Sequence, residues 1–213
     1  MTGEAIVKVI FGIRGGGKTV KLRRLLLGSG RFVAVNTLNR AGFSNGVVFT
    51  DLQVLKKFWL SVYRANFRLV YSPQHGDLER VRDEVGEICS LSLACGDMTL
   101  AIEEMNVLFE GNRKPSEFER VVFAGREPGV SLIGVAQKPT GFGDAMRAMT
   151  KEAFIFHTHE KTHLDVYRNL VGKEGAEAIR TLGQYEYVHW VISSGDNGAE
   201  EYTIQKDEPL PSM

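Results

Sequence analysis

An apolar run, AIVKVIF (Ala5 to Phe11), passes directly into GIRGGGKT (Gly12 to Thr19). A strand that gives way to a helix through G-x-x-x-x-G-K-[ST] is a phosphate-binding loop. Each residue type has a chemical reason. Several backbone N–H groups must converge on the oxygens of a triphosphate, and glycine lets the chain curl around them without a Cβ in the way. Gly12, Ile13, Arg14, Gly15, Gly16 and Gly17 are therefore read as the cradle. Lys18 supplies a mobile positive charge for the β- and γ-phosphates, and the Thr19 hydroxyl is suited to ligate Mg²⁺. The helix expected from Lys18 to about Leu27 turns its positive dipole end to the same anion. ATP and Mg²⁺ are the expected cofactors.

The rest of the chain alternates between two periods. Strands are expected at Arg31–Val35, Val47–Phe49, Phe67–Tyr71, Met98–Ile102, Ser131–Ala136 and Ala153–Thr158. Between them lie helical patterns. Asp51 caps one in which Leu52, Leu55, Trp59 and Val62 recur, and Asp77 to Ala94 carries Leu78, Val81, Val85, Ile88 and Leu91 on one side. A short helix follows at Glu117–Ala124, and two more at Leu164–Val171 and Glu174–Leu182. EYVHWVI and EEYTI read as an antiparallel hairpin turning around Gly195 to Gly198. Alternating strands and helices imply a mainly parallel sheet covered on both faces, with ligands at the carboxyl ends of the strands. The expected organisation is one α/β domain over residues 1–213, its core at about 5–192 and an acidic surface-hugging or loose segment at 196–213.

Composition excludes little but is consistent with this reading. An apolar fraction of 43% and a charged fraction of 24% over 213 residues are those of a soluble globular chain. The formal net charge is zero, so contact with nucleic acid has to come from a local patch. Cys89 and Cys95 stand six apart, which suits neither a redox pair nor a metal knuckle, and are read as free thiols. No stretch has the length of a membrane span and no signal peptide is recognised. His157 and His159, with His163 soon after, read as polar residues near a strand end rather than as a metal site.

Hydrolysis needs more than a cradle. MTLAIEE places Glu103 and Glu104 at the carboxyl end of a buried strand, the end that lies beside the phosphate loop in a parallel sheet. The first acid is suited to the Mg²⁺ hydration shell and the second to orienting or deprotonating the attacking water. Gln137 ends the next strand, in SLIGVAQKP, where its amide reaches toward a γ-phosphate or the lytic water. Arg126, in AGREPG, stands before that strand, either capping helix carbonyls or projecting into a neighbouring subunit's site. Arg147, in GDAMRAMT, is the rival for that second role.

With GIRGGGKT, MTLAIEE and GREPGVSLIGVAQKP in order, the chain resembles the FtsK–HerA superfamily of DNA-pumping ATPases, and within it the genome-packaging ATPases of tailless icosahedral viruses with an internal membrane. The resemblance covers roughly Ala5 to Phe156 and implies a P-loop NTPase of RecA/ASCE-like fold. It implies a homo-oligomeric ring, usually hexameric, that threads double-stranded DNA at the expense of ATP. Lys18 and Thr19 become the triphosphate and Mg²⁺ contacts, Glu103 the metal-side acid, Glu104 the catalytic base, Gln137 the γ-phosphate sensor and Arg126 the trans arginine. A capsid vertex or a membrane-associated portal protein is the implied anchor, and the host cytoplasm or the virion vertex the implied location. Three positions depart from the family pattern: Glu103 stands where most such ATPases have aspartate, Asn36 replaces an acid after the second strand, and Lys138-Pro139 follows the glutamine in place of Arg-Pro.

Arg113 and Lys114, on the glycine- and proline-bearing segment GNRKPSEFER, are the DNA-contact candidates. Non-specific duplex binding needs only phosphate contacts, and a ring multiplies two charges by its subunit number. Other readings are a cellular-type translocase or helicase, a phage assembly ATPase, a small P-loop kinase, or a scaffold that uses ATP only to assemble.

Overall fold

A computed structural model of the chain describes residues 5–38, 46–109, 113–139, 144–192 and 200–208. Among these residues nine strands form one sheet: β1 (Val7–Phe11), β2 (Phe32–Val35), β3 (Val47–Phe49), β4 (Arg68–Tyr71), β5 (Met98–Ile102), β6 (Val130–Ala136), β7 (Thr150–Phe156), β8 (Glu186–Ile192) and β9 (Glu200–Lys206). Their order is β3-β4-β2-β5-β6-β1-β7-β8-β9. From β3 to β7 every pairing is parallel. β8 and β9 then add an antiparallel pair to the β7 edge. The fold is therefore the mainly parallel α/β sheet with a terminal hairpin that the alternation of periods predicts. The hairpin's turn around Gly195 to Gly198 lies outside the described residues.

Among the described residues seven helices accompany the strands: α1 (Lys18–Leu27), α2 (Leu52–Val62), α3 (Leu78–Cys95), α4 (Met105–Leu108), α5 (Ser116–Ala124), α6 (Asp144–Met149) and α7 (Lys161–Thr181). Period-two alternation in the central strands sends successive side chains to opposite faces. Val33 and Val35 of β2 face one core with Leu55, Trp59, Val85, Ile88, Phe118 and Tyr167, from α2, α3, α5 and α7. Phe32 and Ala34 face the other, with Leu22 and Leu26 of α1. The strands are thus buried on both faces, as parallel sheets require.

Local chemistry fixes the helix ends. The Asp51 side chain accepts from the Val54 N–H at 3.0 Å, and Asp77 accepts from Glu79 and Arg80 at the start of α3. Both are N-caps that satisfy otherwise unpaired donors. Gly172, at φ 73, interrupts α7, which accounts for the two helical patterns in that stretch of sequence. Cys89 is buried and Cys95 half-buried, and both are free thiols. Burial pushes the Cys89 thiol pKa far up, so it stays protonated.

Two elements differ from the sequence expectation. α4 and α6 are too short to display a helical period, and each is held by buried side chains instead: Met105 and Leu108, and Met146. β9, the second strand of the expected hairpin, runs to Lys206, and beyond it Asp207 is buried against α1, which the sequence does not signal. Asp207 lies 3.8 Å from the Lys21 ammonium and 3.9 Å from Arg24. Lys21 also donates to the Tyr187 hydroxyl at 2.6 Å and sits over the rings of Phe154 and Tyr187. Burial holds its pKa below the ordinary lysine value despite the pull of Asp207 and Glu152. Residues 200–208 of the acidic segment are therefore tied to the sheet and to α1; its other residues lie outside the described set.

Candidate nucleotide site

β1 ends at Phe11, and the backbone then turns through Gly12 at φ 146, Gly15 at φ 83 and Gly17 at φ 117. All three are conformations that residues with a Cβ avoid. Gly12 is constrained twice, because a Cβ there would lie 2.6 Å from the Cβ of Phe156. Gly12→Ala is expected to abolish nucleotide binding and to lower the melting temperature, a result that calorimetry and nucleotide titration would check. Wild-type affinity in that variant would show that the loop tolerates a different curl.

Lys18 is buried at the first turn of α1, and its ammonium donates to the carbonyls of Gly12 at 2.7 Å and Ile13 at 2.9 Å. The side chain thus folds back over the loop, where a phosphate-binding lysine is required. One residue on, the Thr19 hydroxyl lies 3.2 Å from Oε1 of Glu103. Phosphate loop and acid pair are separated by 84 residues in the chain and meet at hydrogen-bond distance. Hydroxyl and carboxylate oxygens are the hard donors that Mg²⁺ prefers, so the pair fits this ion.

The acids follow β5, which is one strand removed from β1, with β6 between them. Glu103 is held by its own backbone: its N–H donates to Val35 O at 3.0 Å, and its carbonyl accepts from the Thr37 hydroxyl at 2.7 Å. Glu104 is 2% exposed and adopts φ 52, ψ 43. A left-handed backbone at a non-glycine residue costs on the order of 1–3 kcal/mol and persists where the surroundings over-determine it. Here the turn aims Glu104 at Gln137, whose amide Nε2 donates to both carboxylate oxygens at 2.9 and 3.2 Å. Gln137 is itself fixed, its N–H donating to the Asn106 side chain at 3.0 Å. The strand-ending glutamine expected to stand near a γ-phosphate thus contacts the expected base.

Asn36, the departure from the family pattern, is buried at the carboxyl end of β2 and donates to the Ser72 hydroxyl at 3.2 Å. It bridges neighbouring strand ends. Arg126 lies elsewhere. It sits in the turn between α5 and β6, and Gly129 N–H donates to its carbonyl at 3.1 Å. Gln137 follows the last residue of β6, and seven strand residues at ~3.3 Å each separate the two ends by roughly 23 Å. Arg126 lines an open groove of about 920 Å³ at the amino edge of the sheet, with Arg31, Leu25, Thr99 and Ser131. It is on the far side of the sheet from this chain's own phosphate loop. The side chain of Arg147 is outside the described residues.

Arg113 is exposed and pairs with Glu79 of α3 at 3.2 Å, while Lys114 is half-buried. Gly111 and Asn112 of the same segment lie outside the described residues. His163 sits on α7 with Nδ1 3.4 Å from the Thr158 hydroxyl. His157 and His159 stand beyond β7 with ring centroids 5.9 Å apart. Sequence reasoning missed Tyr185, whose N–H donates to Gly16 O at 3.1 Å. Its one local signal is the Gly183-Gln184 turn that precedes β8.

No protein-family model matches the sequence, and neither does any curated protein sequence. Solved structures do. The genome packaging NTPase B204 from Sulfolobus turreted icosahedral virus 2, solved with sulfate, matches with a TM-score of 0.71 at 18% identity, over 99% of this chain and 100% of its own. The chain shares the fold of that NTPase along its whole length. B204 has also been solved with AMP, AMPPCP and ATP-gammaS. VirB4 of Thermoanaerobacter pseudethanolicus matches with a TM-score of 0.66 at 11% identity, over 96% of this chain and 89% of its own. At such identities the likeness concerns the fold alone.

Proposed function

We propose that the chain is an ATP-hydrolysing ring motor of the FtsK–HerA kind that moves double-stranded DNA and packages a viral genome into a preformed capsid. One observation carries the catalytic half of this reading: Lys18, Thr19, Glu103, Glu104 and Gln137 converge at the carboxyl edge of one parallel sheet. The packaging half is supported by the fold shared with B204 along its whole length and by the motif order in the sequence.

In this reading the loop N–H groups and Lys18 bind the triphosphate. Thr19 and Glu103 hold Mg²⁺, Glu103 partly through water; the ion supplies charge neutralisation at the phosphates when bound. Glu104 orients the attacking water and accepts its proton, and Gln137 fixes the direction of that carboxylate. Burial of both acids excludes competing bulk water and strengthens each polar contact. A neighbouring copy, in a ring expected to be hexameric, completes the pocket with an arginine. Among the described residues no helix is long and apolar enough to cross a membrane. A capsid-vertex or membrane-associated portal protein is the proposed anchor, at the virion vertex or in the host cytoplasm.

ATPase rate with and without linear double-stranded DNA, measured alongside oligomer mass, tests the proposal. Stimulation together with a ring-sized mass supports a motor; a monomer that DNA does not affect rejects it. Changing Arg113 and Lys114 together to alanine is expected to weaken DNA binding and DNA stimulation while leaving basal hydrolysis intact. Each lost phosphate contact also reduces the salt slope of binding by about one. Unchanged DNA affinity in that variant would move the channel contact to another loop.

A further inference from the structure

The strand order gives a bound triphosphate a direction. β1, which feeds the phosphate loop, has β6 and β5 on one side and β7 and β8 on the other. Glu103, Glu104 and Gln137 all stand on the β5–β6 side. A triphosphate whose γ end meets those groups leaves its nucleoside end on the β7–β8 side.

Tyr185 occupies that side. β8 runs antiparallel to β7, with Tyr187 opposite Phe156, so the chain enters β8 at the carboxyl edge, level with the loop. Besides the bond from its N–H to Gly16 O, the ring edge of Tyr185 lies 2.9 Å from where a Cβ on Gly17 would be. Its backbone sits at φ 65, a left-handed conformation that tyrosine adopts only when it is held there. The second hold is from the C-terminal strand: Asp207 N–H donates to Tyr185 O at 3.0 Å, and the Asp207 carboxylate lies beside Lys21 and Arg24 of α1. A half-exposed ring is thus fixed against the last glycine of the loop by two backbone ties. On the same flank, Nδ1 of His157 is buried without a hydrogen-bond partner among the described residues.

We propose that Tyr185 is the nucleoside-binding wall of the site, its ring stacking on the base of the bound nucleotide. This rests on the triphosphate reading above and adds to it a residue for the base. A π-face accepts any base, so the wall gives affinity with little choice between ATP and GTP.

The test uses the full chain and two Mg²⁺-loaded probes, ATP and inorganic tripolyphosphate. Tyr185→Asn removes the ring but keeps a residue that tolerates the left-handed backbone, and Tyr185→Phe keeps the ring. Loss of base stacking is expected to weaken ATP binding about five- to a hundredfold in Tyr185→Asn. Tripolyphosphate binding stays unchanged in that variant, which also shows that the loop is intact, and Tyr185→Phe binds both as wild type does. An equal loss of both probes would make Tyr185 a prop for the loop, and an unchanged ATP affinity would leave the base elsewhere; either overturns the proposal. A wild-type chain that binds neither probe rejects the triphosphate site itself, which is a separate result.

Discussion

Glu104→Gln is expected to retain ATP binding and to lose turnover, with kcat lowered by at least about a hundredfold, the scale for removing a general base. Charge and basicity are what the substitution removes. Shape is nearly kept, and an amide at 104 still accepts one hydrogen bond from Gln137 Nε2, now 2.9 Å from the nearer carboxylate oxygen. The strained turn at Glu104 does not depend on the ionised group, because α4 begins with buried Met105 and Glu104 O accepts from Val107 N–H at 2.9 Å. Folding and nucleotide affinity are therefore expected to survive. Equilibrium titration against a non-hydrolysable analogue and single-turnover hydrolysis separate the two properties. Wild-type hydrolysis in this variant would remove Glu104 from the chemistry and leave Gln137 bonded to a structural acid.

Arg126→Ala is expected to lower turnover by about a thousandfold or more, the scale on which a trans arginine acts in phosphoryl transfer. The reason is geometric. Arg126 is at the opposite end of β6 from Gln137, so an effect on hydrolysis has to be exerted in the site of another copy. Mixing provides the decisive measurement. Arg126→Ala and Glu104→Gln subunits are each expected to be nearly inactive alone, yet an assembly of both contains interfaces where an intact Glu104 meets an intact Arg126. Partial recovery of ATPase on mixing is the expected result. Failure to recover, with mixed assembly shown by mass, would confine Arg126 to a local role such as capping the carbonyls of α5. Arg147→Ala, measured in parallel, identifies the rival.

The phosphate loop and the acid pair were legible in sequence because each is local: a few consecutive residues determine both the chemistry and the strand end that presents it. Gln137 was legible for the same reason, although the target of its amide was not. That it bonds Glu104 depends on the left-handed turn at 104, and nothing in the string MTLAIEE signals a positive φ. Tyr185 was illegible because its relevance comes from a contact with Gly16, 169 residues earlier, made only once β8 joins β7. The tie from Asp207 to α1 was hidden similarly; an acidic tail reads as solvated until a buried lysine is found beneath it. Short helices fail for another reason: α4 has four residues and α6 six, about one turn and less than two, too few for a period to show.

The central strand β6 has one further implication. It is flanked by parallel neighbours on both sides and is almost wholly buried, so it cannot lengthen or slip without breaking two ladders. At one end Gln137 donates to the Glu104 carboxylate, and the other end leads out of the turn that carries the exposed Arg126. In the proposed ring such a strut would hold the distance between a subunit's own Gln137 and the arginine it offers a neighbour constant, so adjustment between sites would fall to the subunit interfaces and not to the sheet.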